Sequence, residues 1–157
     1  MNANNLICVY LGASAVLSSF LYFISSGGNA KYTKHARMLF HSAAILTISS
    51  AAFLLYLIIS HQFQYTYVWN YSSKDLPWNL LIATFYAGQE GSFHLWAFLM
   101  AILGVFLLPY LANKDKEAVS SFGIKADKYE PLVMGVFTLI QAFLLFILII
   151  KSPYLFV

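Results

Sequence analysis

The stretch "FHLWAFLMAILGVFLLPYL", residues 93–111, holds no Asp, Glu, Lys or Arg. As a helix it rises about 28 Å at 1.5 Å per residue, close to the roughly 30 Å hydrocarbon thickness of a bilayer. Stretches 6–25, 38–60 and 132–150 also lack those four residue types. Lipid offers the backbone no hydrogen-bond partners, so four such stretches read as four membrane-spanning helices. The interval 79–87, "NLLIATFYA", is apolar too, but nine helical residues rise only about 13 Å. It reads as a short interfacial helix before the third span. The expected fold class is therefore an all-α integral membrane protein with four transmembrane helices and that short helix.

Composition agrees. Of the 157 residues, 61% are hydrophobic and 10% charged, with mean hydropathy +0.72, against about 45–50% and about 25% in soluble domains. No basic patch interleaved with stacking aromatics appears in a water-soluble module, which speaks against a nucleic-acid partner. The lone Cys8 has no partner for a disulfide and reads as a small apolar residue.

Lys and Arg set the orientation. The segment between the first two spans holds Lys31, Lys34 and Arg37, and the segment after the third holds Lys114, Lys116, Lys125 and Lys128. The 61–92 loop has only Lys74, the tail only Lys151, and the first five residues none. Positive charge collects on the cytoplasmic side, so 61–92 and both termini are expected outside. In a bacterium this means a multi-pass inner (cytoplasmic) membrane protein with periplasmic termini. The uncharged start lacks the basic region of a cleaved signal peptide, so the first span is expected to remain.

Small residues favour close helix contact in lipid: Gly12, Ala13, Ser14 and Ser18 on the first span, Ser42, Ala43, Ser49, Ala51 and Ala52 on the second. Gln141, inside the fourth span, calls for an interhelical hydrogen bond, and His41, in the second, reads the same way. His35 reads as solvated. His61 and His94 lie at the outer ends of their spans; two such histidines are a pattern that also ligates haem iron, and they are the only metal-ligand candidates.

The outer side is rich in aromatics: Trp69, Trp78 and Trp96 with Tyr65, Tyr67, Tyr71 and Tyr86. An interfacial aromatic belt and a platform for a flat apolar partner both account for them. In "YSSKDLP", 71–77, Ser72, Ser73 and Asp75 suit a turn, and Pro77 suits the start of a helix. In "YAGQEGSFHLW", 86–96, Glu90 has two readings. In the first, Ser92 caps the third span, Gly91 allows the turn, and the helix dipole favours the carboxylate by typically 0.3–1 kcal/mol. In the second, Glu90 is an outer anion facing a ligand or partner, with Gly88 and Gly91 permitting close backbone approach. No nucleophile–base pair, CxxC or phosphate loop is present, so the chain offers no self-contained catalytic site.

The order Tyr67, Val68, Tyr71, Ser72, Ser73, Asp75, Leu76, Pro77, then Ala83, Tyr86, Gly88, Glu90, Gly91, Ser92, Leu95, Trp96 resembles the N-terminal part of the CcmF family. The closing "FLLFILIIKSPY", 143–154, is similar to the end of that family's fourth helix. These are the membrane haem lyases of system I cytochrome c maturation, related to the haem-handling CcmC and CcsA proteins. The resemblance implies cytochrome c-type biogenesis, with haem passed from the chaperone CcmE and, with CcmH and CcmI, attached to the CxxCH cysteines of apocytochrome c. Taken with the aromatic-rich loop, it makes Gln89, Glu90, Ser92, Trp96, Trp69, Trp78 and Tyr86 the expected haem- or partner-facing set. Asp75, Leu76, Pro77, Gly88 and Gly91 then form a structural motif.

The departures define the rest. Family members are several times longer, and their tryptophan-rich haem platform and haem-ligating histidines are not matched here. His94 falls where an apolar residue is usual, and Tyr86 where tryptophan is frequent. Residues 1–157 are therefore expected to be the N-terminal transmembrane segment of a larger haem-lyase-like protein. It would scaffold and line the periplasmic site beside the remainder of the lyase, or a companion chain, and membrane lipids. Alone it is expected neither to bind haem nor to act as a lyase. The alternatives are a small b-haem anchor using His61 and His94, or a purely structural anchor subunit of a redox complex.

Overall fold

The computed structural model describes residues 3–28, 30–122 and 129–157. Lys125 and Lys128, which entered the charge count, lie outside them. Six α-helices follow in order: α1 (Ala3–Ser26), α2 (Thr33–Ile59), α3 (Thr66–Tyr71), α4 (Trp78–Ala83), α5 (Gln89–Phe122) and α6 (Tyr129–Ile150). The segments Val9–Ser26, Thr33–Ile59, Gln89–Ala118 and Tyr129–Ile150 are long and apolar enough to cross a membrane. The all-α fold with four candidate spans is thus the one expected. The short element before α5 is α4 followed by a 3₁₀ turn over Thr84–Tyr86.

Two features depart from expectation. The third long helix starts at Gln89 and continues past 111, through Pro109, to Phe122. Charged residues end an apolar span without ending a helix: "ANKDKEAVSSF", 112–122, has good helix formers and neither Gly nor Pro. The second departure is α3, "TYVWNY", whose β-branched and aromatic content suggests no helix. Buried Tyr67 and Val68 show packing overriding that local preference.

The long helices form an antiparallel ring in which α1 packs on α2 and α6, and α5 packs on the same two. Small residues permit this closeness. A Cβ on Gly12 would stand 2.9 Å from the Ile149 side chain, and one on Gly104 2.5 Å from the Phe40 ring. Hydroxyls bond across the seams: Ser18 donates to the Ala36 carbonyl at 2.9 Å and Ser19 to that of Gly135 at 2.8 Å. Gln141 donates from α6 to the Ala97 carbonyl on α5 at 3.0 Å, the interhelical bond its position called for. Ser14, Thr47 and Thr138 are buried while Phe20, Phe106, Phe143 and Phe146 are exposed. Within a mostly apolar interior, the few polar side chains turn inward and large apolar ones face out, as a lipid solvent requires.

One end of the bundle is locked by charge. Arg37 grips Glu130 with two donors, Nε to Oε1 at 2.6 Å and a second nitrogen to Oε2, and Glu130 is buried. The Glu130 N–H, in the first turn of α6, donates to Asp115 Oδ2 at 3.0 Å. The extension of α5 beyond residue 111 brings Asp115 there. At the other end the chain after α6 folds over the 61–92 loop. The Thr66 N–H donates to the Leu155 carbonyl at 2.8 Å, Val157 N–H to Gln64 at 3.0 Å, and Tyr65 stacks on Phe156 with centroids 4.8 Å apart.

Candidate functional site

Tyr67 organises the end that carries the aromatic loop. From α3 its hydroxyl lies 3.0 Å from the Thr84 carbonyl and 3.1 Å from that of Phe85, to which it donates. The same oxygen accepts the Gly88 N–H at 3.1 Å. One side chain thus joins α3, the 3₁₀ turn and the start of α5. Burial, then the charges of Tyr71 and Glu90, push its phenol up to about 12, against the pull of the Gly88 N–H.

The glycines of this stretch exist for that tyrosine. A Cβ on Gly91 would meet Tyr67 Oη and the Phe85 carbonyl oxygen, each at 2.0 Å. On Gly88 it would stand 2.5 Å from the Tyr71 ring and 2.8 Å from that of Tyr67. Close approach is the reason for both glycines, as the sequence suggested, and here the approaching group belongs to the chain itself.

Ser92 is not the expected cap. Its N–H already bonds the Gly88 carbonyl at 2.9 Å, so it sits a turn inside α5. Its hydroxyl turns back to the Tyr86 carbonyl at 2.9 Å. Glu90, half-buried, lies in the first turn of α5, where the dipole favours it. Gln89 beside it is exposed. The Asp75 N–H donates to Ser73 Oγ at 3.3 Å in the expected turn; Leu76 is half-buried and Pro77 immediately precedes α4.

Trp69, Trp78, Trp96 and Tyr86 are each more than half exposed. Trp69 meets Phe63 edge-on with centroids 6.4 Å apart, and Phe63 stacks on His61 at 5.8 Å. Phe63, Trp69, Ser72, Ser73 and Lys74 line an open cleft of about 370 Å³. It offers flat apolar faces beside one ammonium, features that suit a planar or aromatic group bearing an anion.

The two histidines at this end have different neighbourhoods. His61, at φ +52°, takes a left-handed turn conformation uncommon for a non-glycine residue and lies against Phe63. His94 is buried: its Nε2 is 3.1 Å from Ser50 Oγ, and its ring meets Tyr154 edge-on at 6.0 Å. Ser50 also bonds the Tyr154 hydroxyl at 2.8 Å. The hollow beside them holds about 10 Å³, room for about one water and none for a porphyrin. These residues do not fit an axial haem site. Among the described residues no group of three or more His, Cys, Asp or Glu is placed to hold a metal ion.

Sequence reasoning missed Tyr154 and Ser50 as partners of His94, and Glu130 as the partner of Arg37. A carboxylate at the start of an apolar helix was the one available signal for the latter.

No family model matches the chain. Over 153 residues, 96% of its length, it is 28% identical to the cytochrome c-type biogenesis protein CcmF of Haemophilus influenzae. It spans 22% of that protein. In fold it is similar to the solved cytochrome c haem lyase CcmF, with a TM-score of 0.66 and 23% identity over 98% of this chain and 25% of that one. Nearly the whole chain is thus similar to a segment making up about a quarter or less of a CcmF protein.

Proposed function

We propose that this chain is a membrane segment of a haem-lyase-type system for cytochrome c biogenesis. Residues 1–157 scaffold its periplasmic site and supply part of the surface that haem and protein partners meet. The observation that carries this reading is the similarity to CcmF over 96% of the chain. The outer end supports it: Tyr67 holds the loop rigid while Trp69, Trp78, Trp96 and Tyr86 remain exposed. Gln89, Glu90 and Ser92 stand at the start of α5 beside them. The expected setting is a bacterial inner membrane with periplasmic termini. The expected partners are the remainder of the lyase or a companion chain, the chaperone CcmE, CcmH and CcmI, and apocytochrome c.

In this reading the chain positions and shields, and it attaches no haem by itself. The closed surroundings of His94 speak against the b-haem anchor. The test is removal of the chain from its host and restoration of it, with holocytochrome c measured by haem staining beside immunodetected apocytochrome. Loss of holocytochrome that the restored chain repairs is the expected result; an unchanged holocytochrome level overturns the proposal.

A further inference from the structure

Ser72, Ser73 and Lys74 are three hydrogen-bond donors in succession. All three line the open cleft of about 370 Å³ whose apolar walls are Phe63 and Trp69; Asp75, next in the chain, does not line it. The bonding of the three is incomplete. Ser72, half-buried, turns its Oγ away from solvent, and that oxygen has no hydrogen-bond partner among the described residues. A rotation of its side chain toward the cleft gives up no bond, and buried hydroxyls are normally paired. Ser73 Oγ accepts the Asp75 N–H at 3.3 Å, which leaves its own proton to donate. Lys74 is exposed and forms no ion pair with the described residues.

The depth of the cleft narrows the ligand. The span formed by α2 ends at Ile59, and Phe63 follows within one turn's length of chain, so the cleft lies where the headgroups of a bilayer begin. Aromatic rings are ordinary at that level. A run of three donors between them, with no acceptor in need of them, is a separate feature that an aromatic belt does not explain. A glycerophospholipid carries the matching surfaces side by side: a phosphate whose oxygens only accept, then planar esters and acyl methylenes. Bonds from an ammonium to such oxygens are charge-assisted. Choline or ethanolamine would set a second cation beside Lys74, so a headgroup of net negative charge is the better fit.

We propose that the cleft of Phe63, Trp69, Ser72, Ser73 and Lys74 binds one anionic phospholipid, with the two hydroxyls and the ammonium on its phosphate and the two rings against its esters and upper acyl chain. A lipid seated there pins the 61–92 loop to the bilayer surface. The site stands apart from the haem-lyase reading, and its test involves no haem.

The test reconstitutes the full chain in phosphatidylcholine vesicles and reads the fluorescence of Trp69. Trp78→Phe with Trp96→Phe leaves Trp69 as its one tryptophan. Phosphatidylglycerol or phosphatidylcholine brominated on the acyl chains is added as quencher. The expected result is quenching by the brominated phosphatidylglycerol at a several-fold lower mole fraction than by the brominated phosphatidylcholine. Lys74→Gln should abolish that preference, Ser72→Ala should weaken it, and Lys74→Arg should keep it. Lys151→Gln, which removes the other lysine at this end of the bundle, should leave it unchanged. Unaltered helicity in circular dichroism shows that each variant is folded. Equal quenching by the two lipids overturns the proposal. A preference that survives Lys74→Gln reflects diffuse attraction to the chain's net positive charge and overturns it too. Displacement of the lipid by millimolar inorganic phosphate makes a free anion the occupant and overturns the assignment to lipid.

Discussion

One phenolic oxygen, Tyr67 Oη, serves two carbonyls and one N–H at the end of the bundle that carries the 61–92 loop. Tyr67→Phe leaves the buried Gly88 N–H without its acceptor, which costs about 1–3 kcal/mol. The checks are a lower thermal midpoint in detergent and faster hydrogen exchange at Gly88. The same residue gives a pH signature. Its folded pKa is raised from 10.0 to about 12, so folding favours the neutral phenol. That contribution is whole below about pH 10 and is lost as pH rises through about 12. Phenolate absorbance should show a titration step near pH 12 that vanishes in Tyr67→Phe. Gly88 and Gly91 were legible as special positions, read as allowing a turn or the close approach of a ligand or partner, although the groups that approach them are the chain's own Tyr67, Tyr71 and Phe85. Tyr67 was not, since it lies 21 residues from Gly88 in sequence and only the fold brings the two together.

Besides the packed helix seams, the Arg37–Glu130 pair ties α2 to α6. Arg37→Gln removes the bidentate partner of a buried carboxylate. Breaking a fully buried pair costs about 3–5 kcal/mol. With 40% of the Arg37 side chain exposed, water screens the charge and the loss should be smaller. Arg37→Gln together with Glu130→Gln should recover part of that loss, since no lone charge is then buried. Denaturation of the two variants and the parent in mixed micelles measures the difference. The positions of α1, α2 and α6 were legible from length and apolar content alone. The C-terminal end of α5 was not, because polarity marks where a helix leaves lipid and carries no signal to stop. Without that overrun Asp115 could not reach the Glu130 N–H. The α3 helix was hidden for a different reason: six residues of weak helix propensity take their shape from the burial of Tyr67 and Val68.

At the scale of the whole molecule the two ends of the bundle are built differently. The end with Arg37 and Glu130 is closed by paired charge, while the end with the 61–92 loop leaves large aromatics uncovered. An aromatic belt and a partner-facing platform predict different consequences when those side chains are removed. Trp69, Trp78 and Tyr86 are more than half exposed, and exposed positions away from special features usually change stability by about 0.5 kcal/mol or less. Replacing all three with Ser should therefore leave the thermal midpoint of the purified chain almost unmoved. If they form a platform, holocytochrome c yield falls by several-fold at unchanged membrane abundance. If they only anchor the loop in the headgroup region, yield and abundance fall together, because the chain inserts or orients poorly. Trp96 separates the two further, since it lies on α5 itself, two turns past Gln89. A belt residue there tolerates exchange for Tyr, whose ring also suits the interface. A contact shaped around indole does not, and Trp96→Tyr should then lower yield without lowering abundance.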